Sequence, residues 1–176
     1  MKLATFNING VKARLPALCD WLDSSAPDIA LLQEIKSVDE GFPRDLFEDR
    51  GYQVVTHGQI SFNGVAILSK LPLEDISFGL PGDPDDVQAR WIEATVIGKH
   101  ALKICGLYLP NGNPAPGPKY DYKLAWMKRL RQRAIELMAA EMPVLMAGDY
   151  NIISQAELTA HPHIWAKDEL FVPSRR

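Results

Sequence analysis

The sequence predicts an α/β layered sandwich built on mixed rather than purely parallel β-sheets. Three observations carry this. The first third reads strand, helix, strand. Two later pairs of strand-like runs are each closed by a turn signal. A long amphipathic helix then leads into one more apolar strand.

Residues Leu3 to Ile8 alternate loosely and are β-like. From Val11 to Leu22, the apolar residues Leu15, Leu18, Cys19 and Leu22 recur at helical spacing. Pro27-Asp28 breaks the pattern, and Ile29-Ala30-Leu31-Leu32 is a short continuous apolar run, the mark of a strand covered on both faces. Pro43 to Arg50 suits a short helix with proline in its first turn. Tyr52 to Thr56 and Gly64 to Leu68 read as two strands joined by a turn at Asn63-Gly64. Trp91 to Ile97 and Leu102 to Leu109 make a second pair, with Gly98-Lys99-His100 as the turn. A Pro/Gly-rich loop from Pro110 to Pro118 precedes the longest helix, Lys119 to Glu141. Its expected apolar face is Leu124, Met127, Leu130, Ala134, Leu137 and Met138. Val144 to Ala147 is expected to be a buried strand carrying Gly148-Asp149-Tyr150-Asn151 at its end. From Ile152 onward the chain offers few core-formers beyond Trp165, Leu170 and Phe171.

The bulk numbers fit an ordinary globular domain. The chain has 176 residues, 47% hydrophobic and 23% charged, which argues against disorder. A net charge of −3 argues against a protein that coats nucleic acid indiscriminately, yet leaves room for an enzyme with a local basic patch. Cys19 and Cys105 lie in apolar segments without metal-ligand spacing and are expected to be buried free thiols in a reducing, cytoplasmic setting. No signal peptide is visible, and no apolar run is long enough to span a membrane.

Several polar residues stand at the ends of the apolar runs: Asn7, Glu34, Tyr108, Asn111, Asp149 and Asn151. Strand ends are where a rigid sheet delivers side chains to a cleft. If the strands are neighbours, Asn7, Glu34, Tyr108, Asp149 and Asn151 converge into an oxygen-rich set suited to Mg²⁺ or Mn²⁺ rather than zinc. Such ions act on phosphate esters. Each residue also has an ordinary structural reading. Glu34 suits a surface carboxylate or a cap, Asp149-Tyr150-Asn151 and Asn7-Ile8-Asn9-Gly10 suit turns, and Tyr108 suits a half-buried strand position. Composition and spacing leave these alternatives open.

The motifs themselves narrow the choice. Ala4-Thr5-Phe6-Asn7-Ile8-Asn9-Gly10, Leu32-Gln33-Glu34-Ile35-Lys36, Asn63-Gly64-Val65-Ala66-Ile67-Leu68-Ser69, Tyr108-Leu109-Pro110-Asn111-Gly112, Lys119-Tyr120-Asp121-Tyr122-Lys123-Leu124-Ala125-Trp126 and Gly148-Asp149-Tyr150-Asn151-Ile152 occur in that order. Together they resemble the exonuclease III / apurinic-apyrimidinic endonuclease family of the endonuclease/exonuclease/phosphatase superfamily. The resemblance implies a four-layer αββα sandwich of two mixed β-sheets. It also implies a Mg²⁺-dependent phosphodiesterase (Mn²⁺ as an alternative ion) acting on duplex DNA at abasic sites and 3′ ends in base-excision repair. By motif, Glu34 and Asn7 hold the ion, with Asp149 and Asn151 also counted among its ligands. Asp149 orients or deprotonates the attacking water, Asn151 positions water and phosphate, and Tyr108 steadies charge at the scissile phosphate. Asn111, Lys119 and Arg90 are the expected substrate-binding residues, with Lys36 and Lys123 as further phosphate-contact candidates.

The family pattern continues with a Trp-rich loop, an Arg/Asn-Ile-Asp strand and a terminal Ser-Asp-His, none of which occurs in this sequence. His57, His100, His161 and His163 do not follow an aspartate. Residues 1–176 are therefore expected to be a single domain, a monomer, lacking roughly the C-terminal third of the family pattern. Impaired activity is expected with it, because sites that act as a unit lose most of their rate when one member goes. Two alternative functions remain: an inactive remnant that binds DNA or a partner chain, and a same-fold phosphoesterase with an RNA or lipid-phosphate substrate.

Overall fold

The computed structural model describes residues 1–153 together with His161 and His163. Strand β1 (Leu3–Asn7) leads through helix α1 (Val11–Ser25) to β2 (Ile29–Gln33). A short helix α2 (Arg44–Glu48) precedes the antiparallel strands β3 (Gln53–His57) and β4 (Val65–Ser69). Strands β5 (Leu73–Phe78), β6 (Trp91–Val96) and β7 (Leu102–Tyr108) follow, then helix α3 (Pro118–Ala139) and β8 (Val144–Asp149). The first sheet runs β1-β2-β4-β3 and the second β5-β6-β7-β8. Both are mixed: β1 is parallel to β2 and β7 to β8, while the other pairs are antiparallel.

Alternation along the central strands builds the layers. Ala30 and Leu32 of β2, with Ala66 and Leu68 of β4, face α1 and α2, where they meet Val11, Leu18, Leu22 and Phe47. Ile29 and Leu31, with Val65 and Ile67, face the other sheet and pack on Ile92, Ala94, Val96 and Ile104. The far side of the second sheet presents Trp91, Cys105 and Leu107 to Trp126 and Leu137 of α3. Three apolar layers thus separate helix, sheet, sheet and helix, the expected αββα sandwich. Helix α1 ends where Ala26 turns left-handed (φ 43°), its N–H donating to the Leu22 carbonyl at 2.9 Å, and Pro27 prevents continuation.

Four sequence expectations are corrected. Strands β3 and β4 pair as expected, but they are joined by a seven-residue stretch, 58–64, rather than a tight Asn-Gly turn. Asn63 and Gly64 do take positive φ (52° and 86°), and they end that loop instead of forming it. The Gly64 N–H donates to the Ala89 carbonyl, and a Cβ on Gly64 would lie 2.5 Å from Ile35. The buried face of α3 is met in part: Met127, Leu130 and Leu137 pack on the core as expected, but Leu124 and Met138 are exposed and Lys123 and Trp126 are buried in their place. Strand β8 is half-buried throughout because it is the outer strand of its sheet among the described residues. Strand β5, absent from the sequence reading, pairs with β6 across a register shift between Glu74 and Ser77 and is exposed after Leu73, so no hydrophobic alternation marks it. Cys19 and Cys105 are free and buried, as expected. Trp165, Leu170 and Phe171 lie outside the described residues.

Candidate active site

The C-terminal ends of β1, β2, β7 and β8 meet at one edge of the sandwich, at the seam between the two sheets. Asn7 closes β1 and Glu34 follows β2. Tyr108 closes β7 and Asp149 closes β8, directly opposite one another in the parallel register. The Asn7 side-chain amide lies between the two carboxylates, donating to Glu34 Oε1 at 2.9 Å and to Asp149 Oδ2 at 2.8 Å. The Tyr108 hydroxyl donates to the same Glu34 oxygen at 2.8 Å. Lys36 pairs with Glu34 Oε2 at 2.9 Å and also reaches Asn9. Glu34 and Asp149, 115 residues apart by their numbering, are thus bridged by a single side chain.

Local backbone geometry delivers these groups. Glu34 (φ 52°) and Lys36 (φ 49°) are left-handed non-glycine residues, a conformation that costs roughly 1–3 kcal/mol each and gathers at functional sites. The turn is held on both sides. Gly10 and Val11 donate to the Glu34 and Ile35 carbonyls, while Ile35 and Lys36 donate to Gly64 and Asn63. Buried Gln33, just before it, bonds Thr5 and so fixes the end of β2. Before Asp149, Gly148 lies so close to β7 that a Cβ would sit 1.9 Å from the Leu107 carbonyl oxygen, a contact no other residue type permits. Asn151 (φ 46°) donates its backbone N–H to Asp149 Oδ1 at 2.9 Å and its side-chain amide to the Leu109 carbonyl at 2.7 Å.

The electrostatics follow from these contacts. Burial acts to raise the Glu34 carboxyl, but hydrogen bonds from Asn7, Lys36 and Tyr108 outweigh it and hold the group below its ordinary value. Tyr108 is pushed up to about 12, first by burial and then by its bond to the Glu34 carboxylate, with Arg90 acting in the opposite sense. Near neutral pH the phenol is therefore a fixed donor. Arg90 lies over the Tyr108 ring, 4.9 Å from its centroid, and bonds Gln88 Oε1 and the Tyr108 carbonyl.

Asn111 and Lys119 do not join the carboxylate cluster. They line an adjoining cavity of about 250 Å³ together with Arg90, Gln88, Gly112 and Tyr122. Arg90, packed on Tyr108, links the two. Lys123 is corrected: it is 1% exposed, so it is no surface contact for phosphate. Lys36 is turned onto Glu34. Sequence reasoning missed these two structural roles, although Lys123 lies three, seven and fourteen residues before Trp126, Leu130 and Leu137, in register with the buried stripe of α3.

The donor set suits a hard cation. Glu34 and Asp149 supply carboxylate oxygens, and no third His, Cys, Asp or Glu joins them among the described residues. Glu34 and Asp149 are the side chains able to hold such an ion. Asn7, expected to help hold the ion, places its side-chain N–H groups on the two carboxylates and accepts the Asn9 N–H on its Oδ1.

Comparison with known proteins agrees with this fold. The model of the Endonuclease/Exonuclease/phosphatase family matches residues 4–171. Exodeoxyribonuclease III of Haemophilus influenzae is 37% identical over 154 residues, covering 86% of this chain and 58% of that protein. A Neisseria 3′ phosphatase, NExo, solved bound to product DNA hairpin, superposes with a TM-score of 0.90 at 34% identity, covering 97% of this chain and 65% of that one. An AP endonuclease from Archaeoglobus fulgidus gives a TM-score of 0.88 at 34% identity, covering 98% and 65%. The chain spans less than two thirds of the length of these relatives. With the family match beginning in β1 and continuing past the Asp149 motif, the chain belongs to the endonuclease/exonuclease/phosphatase family.

Proposed function

We propose that this chain is a divalent-metal-dependent phosphodiesterase acting on duplex DNA in base-excision repair, at abasic sites and 3′ ends. The observation that carries the reading is the pair of carboxylates, Glu34 from one sheet and Asp149 from the other, held to a single amide of Asn7. Glu34 and Asp149 would hold Mg²⁺ or Mn²⁺, which supplies neutralisation of charge on phosphate oxygens. Asp149, its second oxygen steadied by the Asn151 N–H, accepts the proton of an attacking water. Neutral Tyr108 offers its O–H to a phosphate oxygen where charge develops. Asn111, Lys119 and Arg90 receive the DNA backbone in the adjoining cavity. The relative solved with a DNA hairpin supports DNA as the partner.

We read residues 1–176 as one domain, a monomer, covering about the first two thirds of the family pattern. The free buried thiols support a reducing, cytoplasmic setting. Among the described residues, no helix is long and apolar enough to cross a membrane.

Incision of abasic duplex DNA, single-stranded RNA and phosphorylated lipid headgroups tests the reading. The expected result is slow incision of the abasic duplex alone, dependent on Mg²⁺ or Mn²⁺ and abolished by a chelator and by Glu34→Gln. Mn²⁺ affinity should fall about tenfold in that variant, the loss expected when one of two carboxylates becomes neutral. Preference for RNA or headgroups, or Mn²⁺ binding indifferent to Glu34→Gln, overturns it.

A further inference from the structure

We propose that Lys123 is a positioning residue that locks together the two loops carrying Asn111 and Asn151. The inference deepens the phosphodiesterase reading and rests on it. Lys123 stands in the second turn of α3, and its side chain is 1% exposed. A lysine so deeply buried is retained only where its ammonium donors are satisfied. Nζ donates to the Asn111 carbonyl at 3.0 Å and to the Asn151 carbonyl at 2.8 Å. The first belongs to the loop after β7 and the second to the loop after β8. One cation therefore binds the backbone of both segments that leave the paired ends of the second sheet.

The rest of the geometry makes this a lock rather than an incidental contact. Asn151 is left-handed (φ 46°), and its backbone and side-chain N–H groups are engaged with Asp149 and Leu109. Fixing its carbonyl completes the hold on a residue that itself steadies the Asp149 carboxylate. Asn111 is fixed in the same way: its carbonyl meets Lys123, and its Oδ1 accepts the Asn113 N–H at 3.1 Å. Gly112 (φ 88°) lies against the lysine stem so closely that a Cβ there would approach Lys123 Cδ to 2.6 Å. The loop is thus moulded onto this side chain. A charge-assisted bond to each carbonyl is stronger than a neutral one, and arginine, with a planar fork, does not reproduce a point donor that reaches both carbonyls.

Lys123→Met keeps the buried stem and removes the donors, while Lys123→Ala opens a cavity for a small amine. Hydrogen exchange reads the lock without reference to turnover. In Lys123→Met, the Asn113 and Asn151 amides should exchange about tenfold faster, as expected for loss of a charged hydrogen bond, while Ile67 and Ile92 in the central strands stay unchanged. On abasic duplex DNA with Mg²⁺, kcat should fall by about tenfold or more with Mn²⁺ affinity preserved, because misplaced groups cost rate before they cost metal binding. Ethylammonium should restore protection and turnover to Lys123→Ala, and tetramethylammonium, which has no N–H, should not. Unchanged exchange at Asn113 and Asn151 overturns the proposal. So does faster exchange spread equally to Ile67 and Ile92, or equal rescue by both amines. If wild type fails to cleave DNA while the exchange pattern and its rescue appear, the lock stands and the phosphodiesterase reading falls.

Discussion

The Glu34–Tyr108 pair shows how one hydrogen bond contributes to two acid–base properties at once. Burial and then this bond raise the phenol, while against burial the bonds from Asn7, Lys36 and then Tyr108 hold the carboxyl low, so each group keeps its form as acceptor or donor near neutral pH. In a spectrophotometric titration, Tyr108 should ionise near pH 12 in the wild type and lower in Glu34→Gln, where burial remains but the carboxylate is gone. A tyrosine raised in the fold stabilises it below the phenol's ordinary value of 10, and that contribution disappears as pH climbs through the folded value; Glu34→Gln should therefore lose alkaline stability less steeply. An unchanged Tyr108 titration in that variant would contradict the pairing. Most of these site residues were legible in sequence because they end apolar runs. The partners that hold them were not: Lys36 and Lys123 look like ordinary surface lysines until the turn at Glu34 and the buried side of α3 are known.

Among the elements, α3 depends on a polar anchor as much as on its apolar stripe. Glu93 of β6 is 2% exposed and accepts from Arg133 through both oxygens, at 2.8 and 2.7 Å, and from the Trp91 indole at 2.8 Å. Burial acts to raise the Glu93 carboxyl, yet the Arg133 bonds and then the Trp91 bond outweigh it and keep the group low. A depressed carboxyl stabilises the fold above its unfolded value of 4.5, and that contribution is lost as pH falls through the lower folded value. Arg133→Ala should cost about 3 kcal/mol near neutral pH, since it strands a buried charge. With its main counterweight gone, the carboxyl moves upward, so the deficit should shrink on acidification toward the range where Glu93 binds a proton. Denaturant melts at several pH values check this, and a deficit constant with pH would refute it. The anchor explains why the sequence placed α3 correctly along the chain and only in part about its axis. Apolar spacing fixed on Leu124 and Met138, while Lys123 and Arg133, charged residues that turn inward, define the buried side. Strand β5 was invisible for a related reason, since an exposed outer strand needs no apolar alternation.

At the scale of the whole molecule, the two sheets have the same layout among the described residues, with one parallel pair at one side and antiparallel pairs at the other. That symmetry was not legible in the sequence, because nothing in local pattern states which hairpin joins which sheet. Ile67, fully buried between the sheets, makes a clean probe. Ile67→Ala should cost about 3 kcal/mol, as large-to-small changes in cores do. It should also weaken Mn²⁺ binding while the chain is still folded, as calorimetry below the melting temperature would reveal; full affinity at that temperature would count against it. The reason lies in where Asn7 sits. Its amide is a caliper closed across two independent slabs, with one jaw on each. Interiors yield in discrete repackings rather than by smooth flow. Any slippage of one slab against the other opens the jaws, so heat, pressure or a distant cavity should abolish the proposed metal binding while spectroscopy still reports an intact fold.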